Sequence, residues 1–132
     1  MTLSHNLPLR VYYEDTDFSG RVYHASYLRF MERGRTEWLR ALGFEHRTLS
    51  GDAGVVFAVR GMQIEFLAPA LMDDSLVVET AITSTKGAII TFQQKISRDG
   101  APLVDALVRV VTLKNERAVR PPRELLAKIG VR

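Results

Sequence analysis

The residues most able to do chemistry fall in one run, Tyr12-Tyr13-Glu14-Asp15-Thr16-Asp17-Phe18-Ser19-Gly20-Arg21-Val22-Tyr23-His24-Ala25-Ser26-Tyr27. An apolar stretch, Val11 to Tyr13, enters it. A polar turn carrying Asp15 and Asp17 follows and closes at Gly20, and a helical pattern then begins near His24. The run reads as strand, loop, helix. The start of a helix presents backbone N–H groups with no intrahelical partner and a partial positive charge. A carboxylate beside such donors can attack an activated acyl group, or deprotonate a water that does. The N–H groups would hold the oxyanion, and one such donor is worth roughly 10²–10³ in rate.

Two other readings compete for the same acids. Asp15 to Gly20 follows the opening of an EF-hand loop, with acids at the first and third places, Ser at the fifth and Gly at the sixth. Val22 supplies the apolar eighth place, but the twelfth, where a bidentate Glu belongs, is Ser26, and the preceding residues are strand-like. The second reading is structural: an aspartate before a helix is often an Asx-turn or N-cap residue, which suits Asp15. Other catalytic devices are missing. There is no cysteine and no Gly-x-Ser-x-Gly elbow. No Gly-rich phosphate loop or His/Asp metal spacing stands out. Of His5, His24 and His46, only His24 lies where chemistry is expected. Residue types and spacing leave capping and catalysis both open.

These residues need a frame. Leu7–Tyr13 reads as a first strand, with Pro8 near its start. From Tyr23 or His24 to about Leu42 the spacing is helical, and Tyr27, Leu28, Met31, Trp38, Leu39 and Leu42 form one apolar face. Gly43 suits the C-terminal cap. Gly34, inside the helix, costs about 1 kcal/mol relative to alanine, which suggests close approach of another backbone. Glu45–Gly54 reads as a loop or short helix. Beyond it the period changes to two. Val55–Leu67 is a strand bent at Gly61 and stopped by Pro69, and Leu71–Asp74 is a turn. Ser75–Thr85, Ala88–Ser97 and Pro102–Leu113 are strands, joined by turns at Lys86-Gly87 and Arg98-Asp99-Gly100. Glu124–Ile129 is a short terminal helix. Tight turns imply antiparallel pairing. The fold class is α+β: one long helix packed on a roughly five-stranded antiparallel sheet. Several strands carry apolar residues on both faces, so the second face is expected to be covered in an oligomer.

The 132 residues suit a single domain over 1–132. The chain is 46% apolar and 25% charged, which argues against disorder. The absence of cysteine fits a reducing compartment. The N-terminus lacks a signal-peptide pattern, and no apolar stretch nears the roughly 20 residues of a membrane span, so the cytoplasm is the expected location. The net charge of +3 is small and dispersed, apart from terminal Arg117, Arg120 and Arg123. That argues against a nucleic-acid partner and suits phosphate-bearing ligands or an acidic carrier protein.

Arg10 to Asp17, Gly20, Val22 to Tyr27, Glu32-Arg33 and Arg35-Thr36-Glu37 together resemble the hot-dog-fold acyl-CoA thioesterases. The likeness is greatest to the Tol-Pal-associated, YbgC-type branch of the 4-hydroxybenzoyl-CoA thioesterase family. It continues through Phe57-Ala58-Val59-Arg60, Phe66-Leu67-Ala68-Pro69-Ala70 and Asp73-Asp74, and covers roughly Leu9 to Leu113. The resemblance implies a hot-dog fold and hydrolysis of acyl-CoA to free acid and coenzyme A, without metal or organic cofactor. Coenzyme A is part of the substrate. By position, Asp17 matches the catalytic carboxylate, as nucleophile or general base. His24 matches the helix-start residue whose N–H polarises the thioester carbonyl, and Tyr13 matches a further active-site tyrosine. Subunits of such proteins pair edge to edge, with sites between them. A homo-oligomer, as a dimer of dimers forming a homotetramer, is therefore expected, and an acyl carrier protein is a possible partner. Phe18 and Arg21 depart from the family pattern on either side of Asp17. A non-catalytic protein that binds acyl-CoA or an acyl carrier protein, tied to the envelope or lipid metabolism, is the alternative.

Other residues have plainer roles. Glu32 suits a salt bridge with an arginine. Tyr23, Tyr27 and Trp38 suit the core or an interface. Arg60 suits a carboxylate pair across the sheet, or a phosphate. The His24 imidazole either assists catalysis or is idle while its backbone caps.

Overall fold

The computed structural model describes residues 4–45, 51 and 54–130. Strand β1 (Ser4–Arg10) leads through a single 3₁₀ turn (Tyr13–Asp15) to helix α1 (His24–Ala41). Strands β2 (Val56–Phe66), β3 (Ser75–Lys86), β4 (Ile89–Arg98), β5 (Ala101–Lys114) and β6 (Arg117–Ala118) follow, then helix α2 (Arg123–Ile129). All pairings are antiparallel, in the order β1-β3-β4-β5-β2, with β6 also on β5.

Helix α1 is rich in Ala, Leu, Arg, Met and Glu, all strong helix formers. It ends in a full Schellman motif: Phe44 N–H donates to the Leu39 carbonyl at 2.8 Å and Gly43 N–H to that of Arg40 at 2.9 Å. Gly43 takes the left-handed conformation this requires, with φ +96°. The buried face comprises Ser26, Tyr27, Phe30, Met31, Gly34, Trp38 and Leu39. Two assignments change. Leu28 is exposed, and Phe30, edge-on to Tyr27 at 6.1 Å, takes its place in the core. At 3.6 residues per turn, positions 28 and 30 lie on opposite margins of the stripe of 27, 31, 34 and 38, and the sheet covers the margin that carries Phe30.

Gly34 does mark a close approach, but to side chains rather than backbone. A Cβ there would lie 2.7 Å from Thr80 Oγ1 and 2.8 Å from Val78 Cγ1. The helix crosses the sheet over a polar spot formed by Thr80 and Gln94, which are directly paired and fully buried. Away from it the core is apolar, built on Phe30, Met31, Ile90, Phe92 and Val108, with Trp38 edge-on to Phe92 at 6.1 Å.

Several bounds differ from expectation. β1 is three residues earlier at its C-terminal end, because Tyr13–Asp15 turn away as a 3₁₀ helix. The β3–β4 turn is Gly87-Ala88, since Lys86 still pairs with Ile89. The bend in β2 is a bulge at Arg60, between Val59 and Gly61. Asp99 and Gly100 both have positive φ (50° and 81°), as a two-residue type I′ hairpin needs. Asn115 and Glu116 repeat this conformation (52° and 64°) and start β6, where the sequence suggested only a polar tail. The outer face of the sheet is mixed: Val77 and Leu107 are exposed on it, as apolar residues on both faces led us to expect, beside charged residues. Glu79, Lys95, Asp105 and Arg109 stand at alternate positions, opposite the buried Val78, Ile96, Val104 and Val108. Glu45–Gly54 falls largely outside the described residues, as does His46.

Candidate active site

The loop from Thr16 to Val22 is a tight turn held at both ends. Thr16 and Val22 form an isolated antiparallel bridge, Asp17 N–H donates to the Arg21 carbonyl at 2.8 Å, and Gly20 N–H to that of Asp17 at 3.1 Å. Gly20 sits at φ +82° with open space around it, so conformation and not room requires glycine. The loop is stitched to the segment after β2. Val22 N–H donates to the Ala70 carbonyl at 2.9 Å, Arg21 bridges Leu71, and Met72 N–H donates to the Gly20 carbonyl at 3.3 Å. Further support comes from Tyr27, whose hydroxyl accepts the Ala70 N–H at 2.9 Å from within the core.

The two aspartates separate cleanly. Asp15 is buried; its carboxylate accepts the Tyr12 N–H at 2.9 Å, and its carbonyl accepts the Tyr23 N–H at 2.9 Å. It ties the 3₁₀ turn to the helix entrance, the structural role expected of it. Asp17 is exposed at the tip. Its Oδ1 accepts the Ser19 hydroxyl at 2.6 Å and the Ser19 N–H at 2.8 Å. These bonds, the hydroxyl's first, hold the Asp17 carboxyl below the usual carboxylate range.

Asp17 and His24 line one open cavity of about 380 Å³, walled by Arg21, Tyr27, Phe66 and Pro69 among others. His24 is the first residue of α1. Tyr23, before it, offers no side-chain cap. Among the described residues no acceptor is assigned to the His24 or Ala25 N–H, the orphan donors that a helix start presents. The His24 ring packs against Tyr23 at 4.5 Å. Tyr13 is 82% exposed on the 3₁₀ turn and is not among the residues that line this cavity. Its carbonyl accepts the Thr16 hydroxyl at 2.7 Å. The wall from Phe66 to Pro69 was not expected as part of a site. The only signal for it was its place in the resemblance, since nothing in an apolar strand end followed by proline announces a binding wall.

A profile of the thioesterase superfamily matches residues 19–104. The chain belongs to the thioesterase superfamily. It is 44% identical over 124 residues to the acyl-CoA thioesterase YbgC of Haemophilus influenzae, covering 92% of this chain and 91% of that protein. The crystal structure of a probable thioesterase from Bartonella henselae is 40% identical and superposes with a TM-score of 0.88, over 91% of this chain and all of that one. The 4-hydroxybenzoyl-CoA thioesterase of Pseudomonas sp. strain CBS-3 superposes at 0.89, over 95% of this chain and 98% of that one; at 20% identity it shows the shared hot-dog fold.

Two remaining expectations change. Glu32 forms no salt bridge among the described residues; it lines a second cavity with Arg35. Arg60, at the bulge, is exposed and also pairs with no carboxylate among them. Of the residues read as core or interface, Tyr27 and Trp38 are in the core, and Tyr23 is exposed on the single chain. No group of three or more potential metal ligands occurs among the described residues, and no helix among them is long and apolar enough to cross a membrane.

Proposed function

We propose that this thioesterase hydrolyses acyl-CoA thioesters at the Asp17 loop, with no metal or organic cofactor. The observation that carries the reading is one cavity that holds both an ionised carboxylate and the uncapped start of α1. The similarity to YbgC proteins supports the acyl-CoA substrate.

The thioester carbonyl oxygen points at the His24 N–H, which stabilises the negative charge that builds there. Asp17 then acts in one of two ways. As general base it takes a proton from water, and the resulting hydroxide adds to the carbonyl carbon. As nucleophile it adds to that carbon itself, and water later cleaves the mixed anhydride. Either way the C–S bond breaks and coenzyme A leaves as the thiol. Tyr13, exposed beside the loop, belongs to this reading as the further active-site tyrosine.

The same reading includes a dimer formed along β2 and a dimer of dimers beyond it. It also includes a cytoplasmic location, an acyl carrier protein as possible acyl donor, and a tie to the Tol-Pal system. An unpaired strand edge is a template for a second copy. β1, the other edge, is interrupted by Pro8, whereas β2 offers eleven residues without proline.

Thiol release from short, long and aromatic acyl-CoAs tests the function, with wild type and Asp17→Asn side by side. Release by wild type alone is expected. Equal release by both proteins removes Asp17 from the mechanism, and binding of intact acyl-CoA with no release makes the chain a binding protein.

A further inference from the structure

The wall of the Asp17 cavity, Phe66 to Pro69, belongs to the connection between β2 and β3. Its first part is fixed to the sheet: the Leu67 and Ala68 N–H groups donate to the Leu103 carbonyl at 2.8 and 3.3 Å. Pro69 has no N–H, so its carbonyl is the one main-chain group by which a hydrogen bond can hold it.

Beyond Ala70 the connection turns sharply. Asp74 N–H donates to the Leu71 carbonyl at 3.1 Å, and Asp73, the third residue of this turn, has φ +72°. That left-handed conformation favours glycine or asparagine, and at another residue it persists where the surroundings impose it. Two arginines from the ends of different strands hold the turn. Arg10, the last residue of β1, donates through Nη1 to the Asp73 carbonyl at 2.9 Å. Arg98, the last residue of β4, donates through Nη1 to Asp74 Oδ2 at 2.5 Å and to the Pro69 carbonyl at 3.5 Å. The same Asp74 oxygen accepts the Leu71 N–H at 2.8 Å. Arg98 thus ties both ends of residues 69–74 to the tip of the β4–β5 hairpin with one nitrogen.

The tied segment carries the catalytic loop on its other side. The Ala70 carbonyl accepts the Val22 N–H, Leu71 bridges Arg21, and the Met72 N–H donates to the Gly20 carbonyl. The loop does not need these bonds for its own shape. The Thr16–Val22 bridge, the Asp17–Arg21 bond and the two bonds from Ser19 to Asp17 close it internally. The segment therefore governs where the apolar wall stands relative to Asp17, while the conformation of Asp17 is set within the loop.

We propose that Arg98, acting through Asp74 and Pro69, is a positioning residue for substrate binding: it fixes the apolar wall against the Asp17 loop, and with it the fit of the thioester between the two. Arg98 itself touches neither the substrate nor the reacting atoms. An apolar wall packs on the substrate in the ground state and in the transition state alike. Displacing it weakens binding and leaves the chemical step unchanged. The inference rests on the thioesterase reading above. The Arg98 and Asp74 side chains keep 34% and 20% of their surface in solvent, so the effect is that of a screened pair.

The test separates KM from kcat. Arg98→Gln should raise KM for an acyl-CoA that the wild type hydrolyses by roughly two- to fivefold, the scale of a solvent-exposed ion pair, with kcat unchanged. Arg98→Lys, which keeps a cation beside Asp74, should recover most of the loss. Asp74→Asn should raise KM by a similar factor. The double variant Arg98→Gln, Asp74→Asn should be no worse than the worse single one, because the two side chains act as a unit. In an Asp17→Asn background, calorimetry with intact acyl-CoA should show the same rise in Kd when Arg98→Gln is added. A lower melting temperature with KM and Kd unchanged makes Arg98 purely structural and overturns the positioning role. A fall in kcat at constant KM also overturns it, because the effect then lies in the catalytic loop. So do effects that multiply in the double variant. No thiol release by wild type removes the thioesterase reading alone, and the Kd comparison still decides the role of Arg98. Where Arg98→Gln does not fold, Asp74→Asn carries the same comparison.

Discussion

Both donors of Ser19, its hydroxyl and its N–H, close on the same oxygen of Asp17, at 2.6 and 2.8 Å. Asp17 is therefore kept ionised first by these two local bonds, with the Arg21 backbone and charge adding to them and desolvation acting against them. The active form is the carboxylate, and Ser19 favours it. In Ser19→Ala the carboxyl pKa should rise, because its largest lowering contact is lost. The acid limb of the pH profile of kcat/KM should then move to higher pH, with the plateau near neutrality largely kept. An acid limb that stays in place would show that another group sets it.

Tyr27 fastens the cavity wall. Its hydroxyl accepts the Ala70 N–H at 2.9 Å, and burial pushes its pKa up, so it remains a neutral partner. Tyr27→Phe leaves that buried N–H without an acceptor, a loss of about 1–3 kcal/mol. Thermal unfolding should shift down accordingly. KM should rise as well, because Ala68 and Pro69 line the site and Ala70, next to them, carries the backbone bond to Val22. A lower melting temperature with unchanged KM would make the bond purely structural.

Val59 tests the β2 edge. It is 48% exposed on the side of the sheet that elsewhere forms the core. Val59→Glu puts a charge where two copies would meet, which disfavours pairing but costs a monomer little. Sedimentation should show a smaller species, and turnover should fall with it. Unchanged mass would move the interface elsewhere.

The frame was legible where one local rule decides: strand alternation, the helical period, Asp99-Gly100, Gly43. It failed where a neighbour decides. Leu28 and Phe30 both fit an apolar stripe, and only the sheet's position selects Phe30. Gly34 signalled a close approach, but not that Thr80 and Gln94 were what approached. Asn115 and Glu116 adopt left-handed turns that only Asn mildly favours, so β6 was hidden. At the site, Asp17 and His24 were visible because they flank a helix start. The opposite wall was not, since Phe66 to Pro69 reach the cavity only through the pairing of β2 with β5 and the return to Ala70. The bond from Arg35 to Gln94 had no local signal, because the two are remote in sequence.

Asp74 links this wall to the far hairpin and makes it sensitive to acid. Its Oδ2 accepts the Leu71 N–H at 2.8 Å and pairs with Arg98 Nη1 at 2.5 Å. Desolvation pushes the carboxyl up, but the Leu71 N–H and the Arg98 charge outweigh it and hold the pKa below the ordinary value. A carboxyl with a lowered folded-state pKa stabilises the fold above its unfolded pKa of about 3.9, and that stability is lost as pH falls through the folded value. Asp74→Asn should therefore cost most at pH 7. The pair is reached by solvent, so the cost should be about 1 kcal/mol and not the value for a buried pair. Urea unfolding of both proteins at pH 7 and pH 3 measures it: the gap between them should narrow at the lower pH, where wild-type Asp74 begins to protonate. A gap of equal size at both would mean that the lost contribution is the shape of the turn, not the charge on Asp74.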